Sequence, residues 1–251
     1  MRITMKRTTA EQEVSLGLHL CYLVMNVLAC NHARSYKFQW FTFNRYGGQF
    51  KHLSHMLLYF HTFYCAYAVV VDILSIFQGY TSKPADSEDE ELKDSRPIFV
   101  QIRDELFNTV CFPIAFGHTL VYALATWLNN GYFVSMINRR KEELSAPFML
   151  YIHVVPLFSV LLESMMVYRK YANTMRSLKV SMILATAFVG WLLWVAYFGN
   201  YWSYPFLRRS SALVRSACLV SYPIITAGCY LLGKKITQYI WISDVGKVKA
   251  N

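Results

Sequence analysis

The sequence predicts an all-α, polytopic membrane protein, a bundle of six transmembrane helices. Three observations carry the prediction. Of 251 residues, 55% are hydrophobic and only 16% charged, whereas a soluble domain carries about 25% charge. The mean hydropathy is +0.27 although two stretches are strongly polar, so the apolar residues must be concentrated. They fall into six runs near the roughly 20 residues that a bilayer-spanning helix needs. Disorder, fibres and a disulfide scaffold are excluded by the same composition. Residues 1–251 read as one six-span domain, without internal repeats.

The first run, 14–30, is short. Arg2, Lys6 and Arg7 precede it, and Val27-Leu28-Ala29 resembles a signal-peptide cleavage site. It is read as a retained anchor, since five further spans already hold the chain in the membrane. The second run is 53–78, the third 106–128 and the fourth 146–168, with a kink expected near Pro156 because proline cannot donate to the helix ladder. The fifth is 178–199 and the sixth 212–233. Between the second and third lies 79–105, with Pro84, Pro97 and Ser87-Glu88-Asp89-Glu90-Glu91. It reads as a disordered, acidic cytosolic loop, because it holds too little apolar surface to bury. The six cysteines (Cys21, Cys30, Cys65, Cys111, Cys218, Cys229) lie in or beside apolar runs and form no C-x-x-C pair, so they read as packing residues.

The net charge of +10 first suggests nucleic acid. However, no basic run reaches five residues, and Lys and Arg flank the spans, where they set topology. No nucleic-acid partner is expected. The larger share of Lys and Arg falls on the N-terminal side, which places both termini in the cytosol. The tail Lys247-Val248-Lys249-Ala250-Asn251 matches the K-x-K-x-x pattern. Cytosolic coat proteins read that pattern to return membrane proteins to the endoplasmic reticulum. The endoplasmic reticulum membrane is therefore the expected location, with the plasma membrane as alternative.

Polar residues at bilayer depth usually face the bundle interior. In the second span, Ser54, His61, Cys65 and Asp72 share one helix face. The third span adds Asn108, Cys111, His118, Thr119 and Tyr122, and the fourth adds His153, Glu163 and Ser164. Together they suit a polar pocket in an apolar bundle. H-E-x-x-H is absent and only His52 and His55 form a close histidine pair, so no metal or other cofactor is expected. G-x-S-x-G and S-x-x-K are absent too. From the residues alone, Ser54 with His153 is one hydroxyl–histidine pairing among several, and Ser54 equally suits a helix-terminal cap.

Five segments, in order, resemble one family. Gly47-Gly48-Gln49-Phe50-Lys51-His52-Leu53-Ser54 resembles a G-G-x-W-K-Y-L-T segment. Arg103-Asp104 with Phe112-Pro113 resembles R-D…F-P. His153 with Glu163 resembles the start of a fourth span. Trp202-Ser203-Tyr204-Pro205-Phe206-Leu207 resembles W-x-Y-P-F-L, and Tyr230-Leu231-Leu232-Gly233 with Tyr239-Ile240-Trp241 resembles Y-L-L-G…Y-I-W. The family is the androgen-induced-gene family. The resemblance implies a six-span hydrolase that cleaves fatty acid esters of hydroxy fatty acids drawn from the bilayer. It implies a nucleophile at Ser54, where the family has threonine, and a histidine base at His153. Phe50 stands where the family has tryptophan. Asp72 and Glu163 lie about 27 Å below Ser54 and 15 Å below His153 along their helices. They are read as structural, pairing elsewhere, with Lys179 or Arg215 as possible partners. A transporter or an inactive membrane adaptor are the competing classes.

Overall fold

The computed structural model describes residues 2–35, 45–78, 96–128, 146–171 and 173–241. Helix α1 spans Arg2–Ala33 and α2 spans Leu53–Phe77, preceded by a 3-10 turn at Gly48–Lys51. Helix α3, Ile98–Leu106, continues through a π-helical turn, Phe107–Cys111, into α4, Phe112–Leu128. Helices α5 (Ala146–His153) and α6 (Val155–Met166) form a bent pair, followed by α7 (Thr174–Gly199), the short α8 (Pro205–Arg209) and α9 (Ala212–Trp241). Among the described residues, five helices are long and apolar enough to cross a membrane, or six if α5–α6, bent by 49°, is taken as one span.

Proline accounts for both irregularities. Pro113 has no N–H to give the Thr109 carbonyl, so the ladder widens to a π turn. The Ser181 hydroxyl supplies the missing donor to Thr109 O at 2.7 Å. Pro156 likewise cannot bond Ile152, and the helix breaks at Val154. Helices α1 and α2 run antiparallel. Thr62 meets Cys30 at 3.3 Å, Cys65 meets Asn26 at 3.7 Å and Asp72 meets His19 at 2.6 Å. The central core joins Tyr64, Cys65 and Ala68 of α2 to Phe107, Cys111, Phe112 and Ala115 of the third span and Val160 of α6. Large apolar side chains such as Leu28, Phe63, Phe77, Ile183 and Val220 point outward. That exposure would drive aggregation in water and suits a lipid-facing surface.

Two span boundaries move by eight residues from the sequence reading. The third span starts at Ile98 rather than 106, so residues 98–105 are helix rather than acidic loop. The sixth runs to Trp241, well past 233. Of the expected loop, residues 79–95 lie outside the described residues, as do the lysines of the tail.

Candidate active site

Segments far apart in sequence meet in space. Gly47 and Gly48 adopt φ values of 84° and 53°, left-handed conformations in which glycine is at ease. A Cβ on Gly47 would lie 3.2 Å from Val195 of α7. This turn aims α2, and the Leu53 N–H at its start donates to the Tyr204 hydroxyl at 2.9 Å. At the same corner the Trp191 ring N–H donates to Phe50 O at 2.8 Å. Lys51 is buried, its ammonium 5.3 Å from the Tyr201 ring centroid. Burial, with Arg45 nearby, pulls its pKa below the usual lysine value. Elsewhere, a Cβ on Gly233 of α9 would stand 2.6 Å from the Phe112 ring, so glycine permits the close approach of α9 to α4. The Trp241 ring N–H donates to Ser164 O at 3.0 Å.

A narrow interior cavity lies between α1, α2 and the bent pair. The space not filled by atoms is about 490 Å³, its open side included. Ser54, His61, Tyr64 and Cys65 of α2 line it, with Asn26 of α1 and Tyr151 and Glu163 of the bent pair. The helix-face pattern of Ser54, His61 and Cys65 thus faces one space.

His153 is the last residue of α5, at the break. Its neighbours Ile152 and Val155 line the cavity, but His153 itself does not. It turns toward α4: its Nδ1 lies 3.0 Å from His118 Nε2, its ring stacks on Tyr122 at 4.0 Å, and its carbonyl accepts from the Thr119 hydroxyl at 2.8 Å. The His55 ring, next in sequence to Ser54, packs against Phe148 of α5 at 6.3 Å, and it interacts electrostatically with both His118 and His153. Ser54 and His153 therefore share one end of the bundle, though no hydrogen bond joins them among the described residues. His118, which the sequence offered only as part of a polar stripe, is the direct partner of His153.

A profile of the FAR-17a/AIG1-like protein family matches residues 14–238. The chain belongs to that family. Androgen-induced gene 1 protein from Homo sapiens is 23% identical over 198 residues, covering 78% of this chain and 79% of that protein. No solved structure matches.

The family segments also meet in a buried ionic cluster near the N-terminal face of the bundle. Asp72 of α2 accepts from Arg103 at 3.0 Å, Ser15 at 3.0 Å and His19 at 2.6 Å. Asp104 takes Arg103 and Arg169, each at 3.1 Å, and Arg96 on its other oxygen. Glu163 Oε1 receives the Tyr64 hydroxyl, Arg169 and, at 3.0 Å, the second ring nitrogen of His19. Three carboxylates thus face three guanidiniums, with His19 bridging two of the acids. This corrects the expected pairing of Asp72 and Glu163 with Lys179 or Arg215. Arg215 instead caps Leu207 O at 2.9 Å and sits over Trp202. Sequence reasoning passed over His19, and it took Arg103 and Arg169 for loop charges although both are almost fully buried. The Arg103-Asp104 and His153…Glu163 segments of the resemblance and the polar face through Asp72 were the signals that marked part of this cluster. Among the described residues, no group of three or more His, Cys, Asp or Glu is arranged to hold a metal ion.

Proposed function

We propose that this FAR-17a/AIG1-like protein hydrolyses lipid esters inside the membrane, with Ser54 as nucleophile and His153 as base. Fatty acid esters of hydroxy fatty acids are the proposed substrates. The observation that carries the reading is the placement of Ser54. It offers a buried hydroxyl in the wall of an interior cavity, at the same end of the bundle as a hydrogen-bonded histidine pair. The apolar part of the wall (Leu57, Leu58, Val160) suits hydrocarbon chains entering from the bilayer.

In the proposed reaction the Ser54 hydroxyl attacks the ester carbonyl while its proton passes to His153 Nε2. That requires His153 to carry its resting proton on Nδ1 and donate it to His118 Nε2, which fixes the tautomer. His118 is thus a positioning residue, the group that orients the base. The C–O bond of the tetrahedral intermediate breaks, the departing alkoxide takes the proton back from His153, and an acyl-Ser54 remains. Water then attacks with His153 again as base, releasing the fatty acid and restoring the hydroxyl. Serine keeps the reactive hydroxyl that the family's threonine supplies. We place the enzyme in the endoplasmic reticulum membrane with both termini cytosolic, on the charge distribution and the tail lysines.

A fluorophosphonate probe applied to membranes tests the nucleophile. Labelling and lipid-ester hydrolysis are both expected for the unaltered protein and for Ser54→Thr, and neither for Ser54→Ala. His118→Ala should retain the nucleophile but slow turnover. A folded protein that takes no label, or label that survives Ser54→Ala, overturns the assignment.

A further inference from the structure

Part of the polar cavity wall is satisfied internally. Tyr151 donates to Asn26 at 2.7 Å, Asn26 donates to Cys65 at 3.7 Å, and Tyr64 donates to Glu163. His61 stands outside that network. It is buried, it lines the cavity, and its Nε2 has no hydrogen-bond partner. A buried imidazole nitrogen left in this state is costly unless something in the cavity meets it.

The chemistry of that something follows from the surroundings. The His61 ring shares the cavity wall with Cys111, in the π turn created by Pro113. An imidazole nitrogen meets a hydroxyl in either tautomer, accepting its proton or donating to its oxygen. Glu163 is the charged group that acts on this ring. The three donors to Glu163 from His19, Tyr64 and Arg169 converge on Oε1, and its other oxygen receives none of them. This end of the cavity therefore presents a carboxylate oxygen together with an unpartnered imidazole nitrogen: it fits a neutral hydroxyl, which can donate to the one and meet the other, and rejects a carboxylate. Leu57, Leu58, Ile152, Val155 and Val160 supply the apolar wall between it and Ser54. Seven residues of α2 separate Ser54 from His61, a rise of about 10 Å.

We propose that His61, with Glu163, forms a hydroxyl-selective subsite that binds a lipid chain bearing a free hydroxyl roughly 10 Å from the bond presented to Ser54. In placing an ester bond at Ser54 the proposal rests on the hydrolase reading; the hydroxyl subsite does not. The subsite would make His61 a specificity-determining residue, favouring chains with a second, unesterified hydroxyl.

The test uses binding, so that it stands apart from turnover. Full-length protein carrying Ser54→Ala is purified in detergent and titrated with three long-chain ethers. They differ only about 10 Å from the ether oxygen, where one carries a hydroxyl, one a methoxy group and one hydrogen. Ligand-induced shifts of the thermal-unfolding midpoint give the affinities. The hydroxylated ether should bind about tenfold more tightly than the other two, the worth of one buried hydrogen bond. His61→Leu should abolish the difference, and His61→Gln, which keeps an acceptor, should retain part of it. Equal affinities for the three ethers, as expected if the cavity holds only water there, overturn the proposal. So does failure of all three to bind, or a hydroxyl preference that survives in His61→Leu. A folded, unaltered protein that takes no fluorophosphonate label, with the hydroxyl preference intact in Ser54→Ala, would remove the hydrolase reading alone.

Discussion

Replacing Arg169 by Met should be among the most damaging single changes in the membrane-embedded part of this protein. Arg169 is 1% exposed. Its guanidinium donates to Asp104 and Glu163 and lies 4.7 Å from the Phe107 ring centroid. With it, the three acids of the cluster face three arginines. Without it, Glu163 loses its guanidinium partner, and breaking a buried ion pair in this way costs about 3–5 kcal/mol. For a chain of this size that corresponds to a fall of roughly 6–20 °C in the unfolding midpoint. The charge balance makes a sharper claim. Glu163→Gln removes the carboxylate that Arg169 served, so the double variant Arg169→Met/Glu163→Gln restores balance and should be more stable than Arg169→Met alone. The buried free thiols of Cys30, Cys65, Cys111 and Cys229 allow a direct assay: a thiol-reactive dye reports their exposure during heating in mild detergent, at one fixed scan rate. A midpoint within 2 °C (roughly 1 kcal/mol or less) of the unaltered protein refutes the account of the cluster. Additive losses in the double variant refute the charge-balance argument.

Two further outcomes follow. Gly233→Ala places a methyl 2.6 Å from Phe112 and 2.8 Å from the Tyr171 hydroxyl and should cost about 1–3 kcal/mol by overpacking; Gly228→Ala, with nothing within 4 Å, should be neutral or slightly stabilising in the same dye assay. Replacing Lys247 and Lys249 by Ser should shift a tagged protein out of the endoplasmic reticulum by microscopy, and an unchanged distribution would remove the retrieval signal from the account.

How far the candidate site was legible depends on the range of the interactions that make it. Ser54, His61 and Cys65 were readable as one face because helical periodicity is local, and the cavity lies along that face. Gly233 was legible only as a letter in a motif segment, since the reason for it is a ring on another helix. His118 was visible only as one more polar residue in a stripe. Its pairing with His153 depends on how α4 packs against α5, which no spacing within either helix specifies.

The sequence by itself determined the class of protein, an all-helical membrane protein of several spans. Hydrocarbon thickness fixes the length of an apolar run, and the requirement to satisfy every backbone group in lipid leaves helix as the only option for such runs. It also placed the kink at Pro156, since the missing N–H is a property of the residue. Tertiary structure alone decided the partners of the buried charges. Asp72, Asp104 and Glu163 lie on three different spans, and their arginines and His19 come from segments up to 150 residues apart. A charge on a loop-like stretch and a charge in a buried cluster look the same in sequence. Only the packing of α3 and of the segment after α6 against α2 removes Arg103 and Arg169 from water, and once they are removed, desolvation makes pairing obligatory.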